Sequence, residues 1–178
     1  LKHLGIVRED LLSVEKRVSL SLVQELWQCA INKNPPDNIG VCIGETLNPM
    51  ARGILSLLVS NLKNLGEALY LFHEKSDLMS EAEKIAFTVT DTQVRIQYDY
   101  ASPKHYHKMA IERSFSAGLT WCQELTGKKI VPLECSFRHA PVDCPLFHLT
   151  MSSQCSRYEI ESLNPLLDQK APWRVWIA

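Results

Sequence analysis

Four side chains combine an apolar body with a polar atom in a setting that could form a ligand site: Tyr98, Tyr100, Trp121 and His139. The two tyrosines and the histidine lie on stretches of alternating apolar and polar residues, on the face that such alternation turns towards a core. A few polar atoms in an apolar setting are what a small-molecule pocket requires. We take these four as candidate ligand-binding residues. The alternative, more common for any single residue, is a core side chain whose polar atom pairs within the protein.

A metal site is the second chemistry that the spacing suggests. The spacing C-x3-H-x4-C-x3-H joins Cys135, His139, Cys144 and His148. Structural zinc sites use a tight C-x2-C knuckle, and this stretch lacks one, so we predict no metal. Two further histidines, His105 and His107, flank a tyrosine near the start of a predicted helix. A solvated first turn is their expected place, rather than a metal or acid–base pair.

Catalytic and cofactor motifs are missing from the sequence. Neither phosphate-binding pattern, G-x-G-x-x-G or G-x-x-x-x-G-K-[ST], occurs, and neither does G-x-S-x-G. We therefore predict a protein that is not an enzyme and that uses no cofactor.

The composition narrows the class of protein. The 178 residues are 46% hydrophobic, and 19 Lys and Arg balance 20 Asp and Glu for a net charge of −1. This length fits one domain over residues 1–178, since a domain usually has about 100 to 200 residues. No broad basic field is available for nucleic acid. No apolar run approaches the roughly 20 residues of a membrane span, and no signal peptide starts the chain. A cytoplasmic protein is expected.

The elements that must position the candidate residues begin with helices. An i, i+3, i+4 stripe runs from Leu22 to Ile31, and Asn34-Pro35-Pro36-Asp37 ends it. Gly40 and Gly44 then lie four apart, which on a helix lets a neighbouring backbone approach closely. A helix opened by Pro49 is apolar nearly all round, so we expect it to be central. Cysteines 29, 42 and 122 fall in such helical stretches and are expected to be reduced core residues.

The segment NLKNLGEALYLF contains the start of a further helix. Asn64 can accept the first amides while Glu67 reaches back, as in a capping box. The residues that follow are Ala68, Leu69, Tyr70, Leu71 and Phe72, without the Arg, Lys, Asn or Gln of a DNA-reading helix. We interpret the segment as a capped, buried helix.

The second half of the chain changes to a period of two. Alternation from Ile85 to Val89 and from Val94 to Tyr100 predicts a β-hairpin turned at Asp91-Thr92. A long helix is predicted from Ser102-Pro103 to Gly127. A third strand is predicted from Leu133 to Phe137, a short helical piece between Pro141 and Leu149, and a fourth strand around Tyr158 and Ile160. The predicted fold class is α+β: an N-terminal helical half, then a small antiparallel sheet of about four strands with a long helix packed on it.

Several of these segments, in their order, resemble the N-terminal effector domain of AraC-type transcription regulators, in the group called arabinose-binding-like. The segments are RVSLSLVQELWQCA, NIGVCIGETLNPMARGILSLLVSNLKNLGEAL and LTGKKIVPLECSFRHAP, with the hairpin before the third. The similarity runs from about Leu4 to Pro141. The telling pieces are Leu26-Trp27, Gly40 and Gly44 followed by Glu45, Pro49 with Gly53, Leu65-Gly66-Glu67-Ala68-Leu69, Leu125-Thr126-Gly127, and Phe137 with His139.

Beyond Pro141 the chain departs from that pattern. Family members continue through an acidic helix into a Phe-x-Cys-Pro-Val-x-Phe type strand. Here Cys155-Ser156-Arg157-Tyr158 stands in that place at a shortened spacing, and Leu167-Asp168-Gln169 matches a later element. The strand pairing of this end is left open.

The resemblance implies a sensing domain in which a small effector controls an attached DNA-binding domain. In the family that domain carries two helix-turn-helix units downstream, and residues 1–178 do not include it, so DNA is an expected partner only through it. We expect the pocket between the hairpin and the helix from Lys104 to Leu125. Family members respond to varied small molecules, so the effector is not identified. The alternative is a ligand-free interaction or dimerisation module, suggested by the apolar helix surfaces; a homodimer is a possible partner state.

Overall fold

A computed structural model describes residues 7, 17–46, 53–89, 93–100, 107–132, 134–139, 151–152 and 158–163. The helices in these segments are α1 (Leu20–Ile31), α2 (Ile39–Glu45), α3 (Gly53–Ser60), α4 (Leu65–Lys75) and α5 (Lys108–Thr126), with a 3-10 turn at Ser76–Leu78. The strands are β1 (Glu83–Val89), β2 (Gln93–Tyr100), β3 (Glu134–Ser136), β4 (Met151–Ser152) and β5 (Tyr158–Leu163). The α+β class is confirmed.

Capping side chains fix where two of the helices begin. The Ser19 hydroxyl accepts the Leu22 amide of α1 at 3.3 Å. At α4, Asn64 Oδ1 accepts the Glu67 amide at 2.8 Å, and Glu67 Oε2 accepts the Lys63 amide at 3.3 Å. The first two bonds satisfy amides at the start of a helix that have no partner within it, and the third joins Glu67 to the residue before the cap. The predicted capped start of α4 is confirmed.

The sheet has the strand order β1-β2-β5-β3-β4. The hairpin pairs Ile85 with Tyr98 and Phe87 with Ile96, as the alternation predicts. The expected count of about four strands in an antiparallel sheet is not supported. Among the described residues a fifth strand, β4, pairs parallel to β3. A strand of two residues contains no alternation from which it could be predicted.

Helix α5 lies across the sheet and supplies the centre of the core. Ile111, Phe115 and Leu119 recur along one face and are fully buried in one core cluster with Ile96 of β2 and with Phe137, which follows β3. The helix ends, as predicted, where Gly127 adopts a left-handed conformation with φ of 64°. It begins at Lys108, later than the predicted Ser102-Pro103. Residues 101–106 lie outside the described segments, as do Pro49, Asp91-Thr92 and the stretch from Pro141 to Leu149.

Helix α2 packs against the first half of α5 through its two glycines. A Cβ atom on Gly44 would lie 2.6 Å from Ser116 Cβ, closer than side chains approach. The contact is fixed by a hydrogen bond in which the Ser116 hydroxyl donates to the Val41 carbonyl at 2.9 Å. The close approach predicted from the glycine spacing is confirmed.

Three expectations about burial are wrong. Helix α3 is not central: Leu55 and Val59 are buried, but Ile54 is 61% and Leu57 63% exposed. The reason is that only one stripe of α3 faces neighbouring residues, namely those of α4 and α5. Helix α4 is likewise buried along one stripe, with Tyr70 exposed on its outer side. Cys42 is exposed, because α2 turns its glycines, rather than this cysteine, towards α5.

Replacing Gly44 by alanine tests the close contact of α2 with α5. Helix propensity alone would stabilise the protein by about 1 kcal/mol. Because the added methyl would press on Ser116, we expect a net loss of about 1–3 kcal/mol in the free energy of unfolding, measured by urea denaturation. Cys42→Ala, on the exposed face of the same helix, is the control and should change stability by less than about 0.5 kcal/mol. A more stable Gly44→Ala protein would contradict the packing.

Candidate functional site

An apolar cavity of about 490 Å³, including space continuous with solvent, lies between the hairpin, α5 and the α3–α4 pair. The hairpin forms its floor, α5 one wall and α4 its roof. Its lining residues are Val59, Leu65, Ala68, Leu69, Phe72, Ile85, Phe87, Ile96, Tyr98, Gly118, Trp121, Cys122 and Leu125. Two of the four candidate residues, Tyr98 and Trp121, are therefore brought together in one cavity.

Tyr98 carries a polar atom of the cavity wall. Its side chain is 6% exposed, and its ring packs on Phe115 with a centroid distance of 4.7 Å. The hydroxyl lies opposite Gly118, where a Cβ atom would come within 2.9 Å of it. Within the described segments no residue hydrogen-bonds this hydroxyl. Burial raises the pKa of the Tyr98 hydroxyl well above its ordinary value, and the Glu83 charge raises it further, so the group is a neutral phenol at physiological pH.

Trp121 joins the wall of the cavity to its roof. The indole is buried on α5, and its ring meets Phe72 of α4 edge-on, at 5.3 Å between centroids and 82° between planes. Edge-to-face contacts of this kind add about 0.5–1.5 kcal/mol to the burial of the rings. Trp121 is therefore both a cavity residue and one of the contacts that hold α4 over the cavity.

A more polar chamber of about 370 Å³ adjoins the cavity and shares Phe72, Tyr98, Gly118 and Trp121 with it. Glu83, Arg113 and Ser114 line its far side, with Met79 and Ala117. The Ser114 hydroxyl donates to Glu83 Oε1 at 3.0 Å. Burial raises the pKa of the Glu83 carboxyl, while the Arg113 charge and the Ser114 hydrogen bond oppose that rise. Tyr98 thus stands at the junction of an apolar and a polar space.

The other two candidates lie elsewhere. His139 follows β3, and its Nε2 is 2.9 Å from Oε1 of the fully buried Glu112. A histidine whose ring nitrogen pairs with another residue of the protein has the arrangement expected of a core side chain. Tyr100, at the end of β2, packs against the core and does not line the cavity. Neither lines this cavity or the polar chamber beside it.

His107 is not in a solvated first turn. It precedes α5 as the N-cap residue, and its ring stacks on Trp27 at 5.8 Å with 13° between planes. Burial lowers the pKa of His107 and the Glu112 charge opposes this. Among the described residues no group of three or more His, Cys, Asp and Glu could hold a metal. His105, Cys144 and His148 lie outside these residues.

The sequence did not predict that Leu69 and Phe72 of α4, or Gly118 of α5, would line this site. Leu69 and Phe72 carry the ordinary signal of an amphipathic helix, and nothing marks one buried stripe as facing a cavity. Gly118 could have been found, because an isolated glycine inside a helix costs about 1 kcal/mol relative to alanine and often has a packing reason. Glu83 begins a strand, where an acidic residue gives no signal.

A comparison with known protein families gives a match over most of the chain. The model of a family described as the arabinose-binding domain of AraC transcription regulators, N-terminal, matches residues 1–145. A comparison with curated proteins finds no match. Across the described segments no helix is long and apolar enough to cross a membrane.

Tyr98→Phe tests whether the hydroxyl lacks a partner in the protein. A hydrogen-bonded buried hydroxyl contributes about 0.5–1.5 kcal/mol, whereas an unpaired one opposes folding. We expect the free energy of unfolding to stay unchanged or to rise by up to about 1 kcal/mol, while Tyr98→Ala, which removes the ring, should cost about 3–5 kcal/mol. A clear loss for Tyr98→Phe in urea denaturation would mean that the hydroxyl is paired.

Proposed function

The chain belongs to the family of N-terminal arabinose-binding domains of AraC transcription regulators, and from that membership we propose that it binds a small effector in the cavity between the hairpin, α5 and α4. Through that binding it would control an attached DNA-binding domain. The observation that carries the location is the meeting of Tyr98 and Trp121 in one apolar cavity.

The lining of the cavity supports a small-molecule site. Ligand pockets are mainly apolar, with a few placed polar groups. The cavity has this character, because its lining is apolar apart from the Tyr98 hydroxyl and the Trp121 N–H. Its wall is unlike that of a sugar site, which needs many hydrogen-bonding groups, so the family's description does not by itself point to arabinose as the effector here.

Helix α4, the roof of the cavity, is the element through which ligand binding would affect another domain. Besides its apolar packing on the core, helix α4 makes the Phe72–Trp121 ring contact and a contact of His73, whose Nδ1 is 2.6 Å from the Ile85 carbonyl oxygen. An effector touching both α5 and α4 would add contacts across this junction. It would favour one position of the α3–α4 pair, and a ligand that prefers one of two arrangements shifts the population towards it.

A second candidate function is a ligand-free dimerisation module. The exposed Ile54, Leu57 and Leu58 on the outer side of α3 favour it, because contiguous exposed apolar surface often marks a contact with another protein. Sedimentation of the chain over a hundredfold concentration range separates the two functions. A strict monomer that still responds to an effector excludes this candidate.

Gly118→Leu tests the location of the effector site. A Cβ atom on Gly118 would lie 2.9 Å from the Tyr98 hydroxyl, closer than side chains approach, so a leucine there would displace that hydroxyl as well as fill the cavity. A ligand at 100 times its Kd stabilises the folded state by about 2.7 kcal/mol. For a chain of this size that is a shift of about 5–10 °C in Tm. In a thermal-shift screen of metabolites and fatty acids, we expect hits with the wild type that are lost with Gly118→Leu.

The matched control is Thr120→Leu, which adds a similar side chain on the same helix at a half-buried position outside the cavity lining. It should keep every hit. Hits that survive Gly118→Leu would place the site elsewhere. A library that shifts neither protein would favour the dimerisation module.

A further inference from the structure

The wall of the cavity restricts the charge of its ligand. Apart from the Tyr98 hydroxyl and the Trp121 indole N–H, the lining side chains offer only carbon and sulfur atoms, and none of them is charged. A charged group moved from water into such a setting loses its hydration and gains no counter-charge. The body of the ligand must therefore be apolar.

The Tyr98 hydroxyl supplies the place for one polar group. Among the described residues none hydrogen-bonds to it, so it is available to a ligand atom at the cavity wall. As a neutral phenol the group can both donate and accept one hydrogen bond. It lies where the cavity meets the polar chamber, so a ligand that fills the cavity reaches it with one end.

The chamber beyond Tyr98 favours an uncharged end. Glu83 and Arg113 line it together, and the Arg113 charge acts on the Glu83 carboxyl, so each residue offsets the attraction of the other for a charged ligand group. The Ser114 proton is already donated to Glu83. Neither a cationic nor an anionic ligand group therefore meets a chamber of purely opposite charge.

We propose that the effector is an uncharged, mainly apolar molecule with a single hydroxyl or carbonyl group that hydrogen-bonds to Tyr98. The assignment rests on the proposed function and narrows it to a class of ligand. Fatty-acid anions, sugars and amines are outside this class.

Four probes with one apolar body test the class: 4-propylphenol, propylbenzene, 4-propylbenzoate and 4-propylbenzylamine. Their Kd values are measured on the 178-residue chain by ligand-observed NMR titration. We expect 4-propylphenol to bind about fivefold to tenfold more tightly than propylbenzene, the effect of one net hydrogen bond. Both charged probes should bind more weakly than propylbenzene.

The variant Tyr98→Phe tests whether the preference for 4-propylphenol over propylbenzene comes from the Tyr98 hydroxyl. It keeps the ring and removes the hydroxyl, so Kd for 4-propylphenol should rise to that of propylbenzene, while Kd for propylbenzene changes by less than about twofold. Equal affinities of the two probes for the wild type, or a preference that survives Tyr98→Phe, would overturn the assignment.

Gly118→Leu separates failure of the class from failure of the site. If a charged probe binds most tightly and Gly118→Leu abolishes its binding, the class is wrong and the cavity remains the site. If none of the four probes binds but library hits are lost with Gly118→Leu, the result is the same. If the probes bind equally well to Gly118→Leu, they bind elsewhere and both proposals fail.

Discussion

The burial of α5 on two sides is the constraint on which the rest of the structure depends. One face inserts Ile111, Phe115 and Leu119 into the sheet, and the two glycines of α2 press on another face from Met109 to Ala117. Beyond Ala117 the cover changes from α2 to α4. The cavity lies where α4 replaces α2 as the cover of α5, beside Gly118 and Trp121. A rigid helix held at its first half therefore forms a fixed wall for a space at its second half.

The cover over that space is of a different kind. Helices α3 and α4 each bury one stripe and leave apolar residues exposed outside, among them Leu57 and Tyr70. Elements with few buried contacts open more easily than a packed core. The fold thus combines a firm half, made of the sheet with α5 and α2, and a lightly held roof. A ligand between them would be sensed mainly by the roof.

Much of this architecture could be predicted from local patterns, because the physical causes are local. The Asn64–Glu67 cap, the hairpin alternation and the glycine that ends α5 each need only a few neighbouring residues. The glycine pair of α2 predicted a close approach but could not name its partner. The prediction that α3 is buried all round was wrong, because its composition shows which faces are apolar and not how many neighbouring elements exist to cover them.

Among the candidate residues, Tyr98 and His139 gave the same signal, a polar atom on an inward face. Only the structure separates them, since Glu112 pairs with the histidine while the tyrosine hydroxyl faces a cavity.

The central claim is that this cavity, rather than the outer apolar face of α3 or the Glu112–His139 pair, receives the effector. Intermolecular nuclear Overhauser effects between bound 4-propylphenol and the side chains of the protein test it most directly. The account predicts contacts from the probe to the rings of Tyr98, Phe72 and Trp121. Contacts to Ile54 and Leu57, or to His139, without any to Trp121 would contradict it.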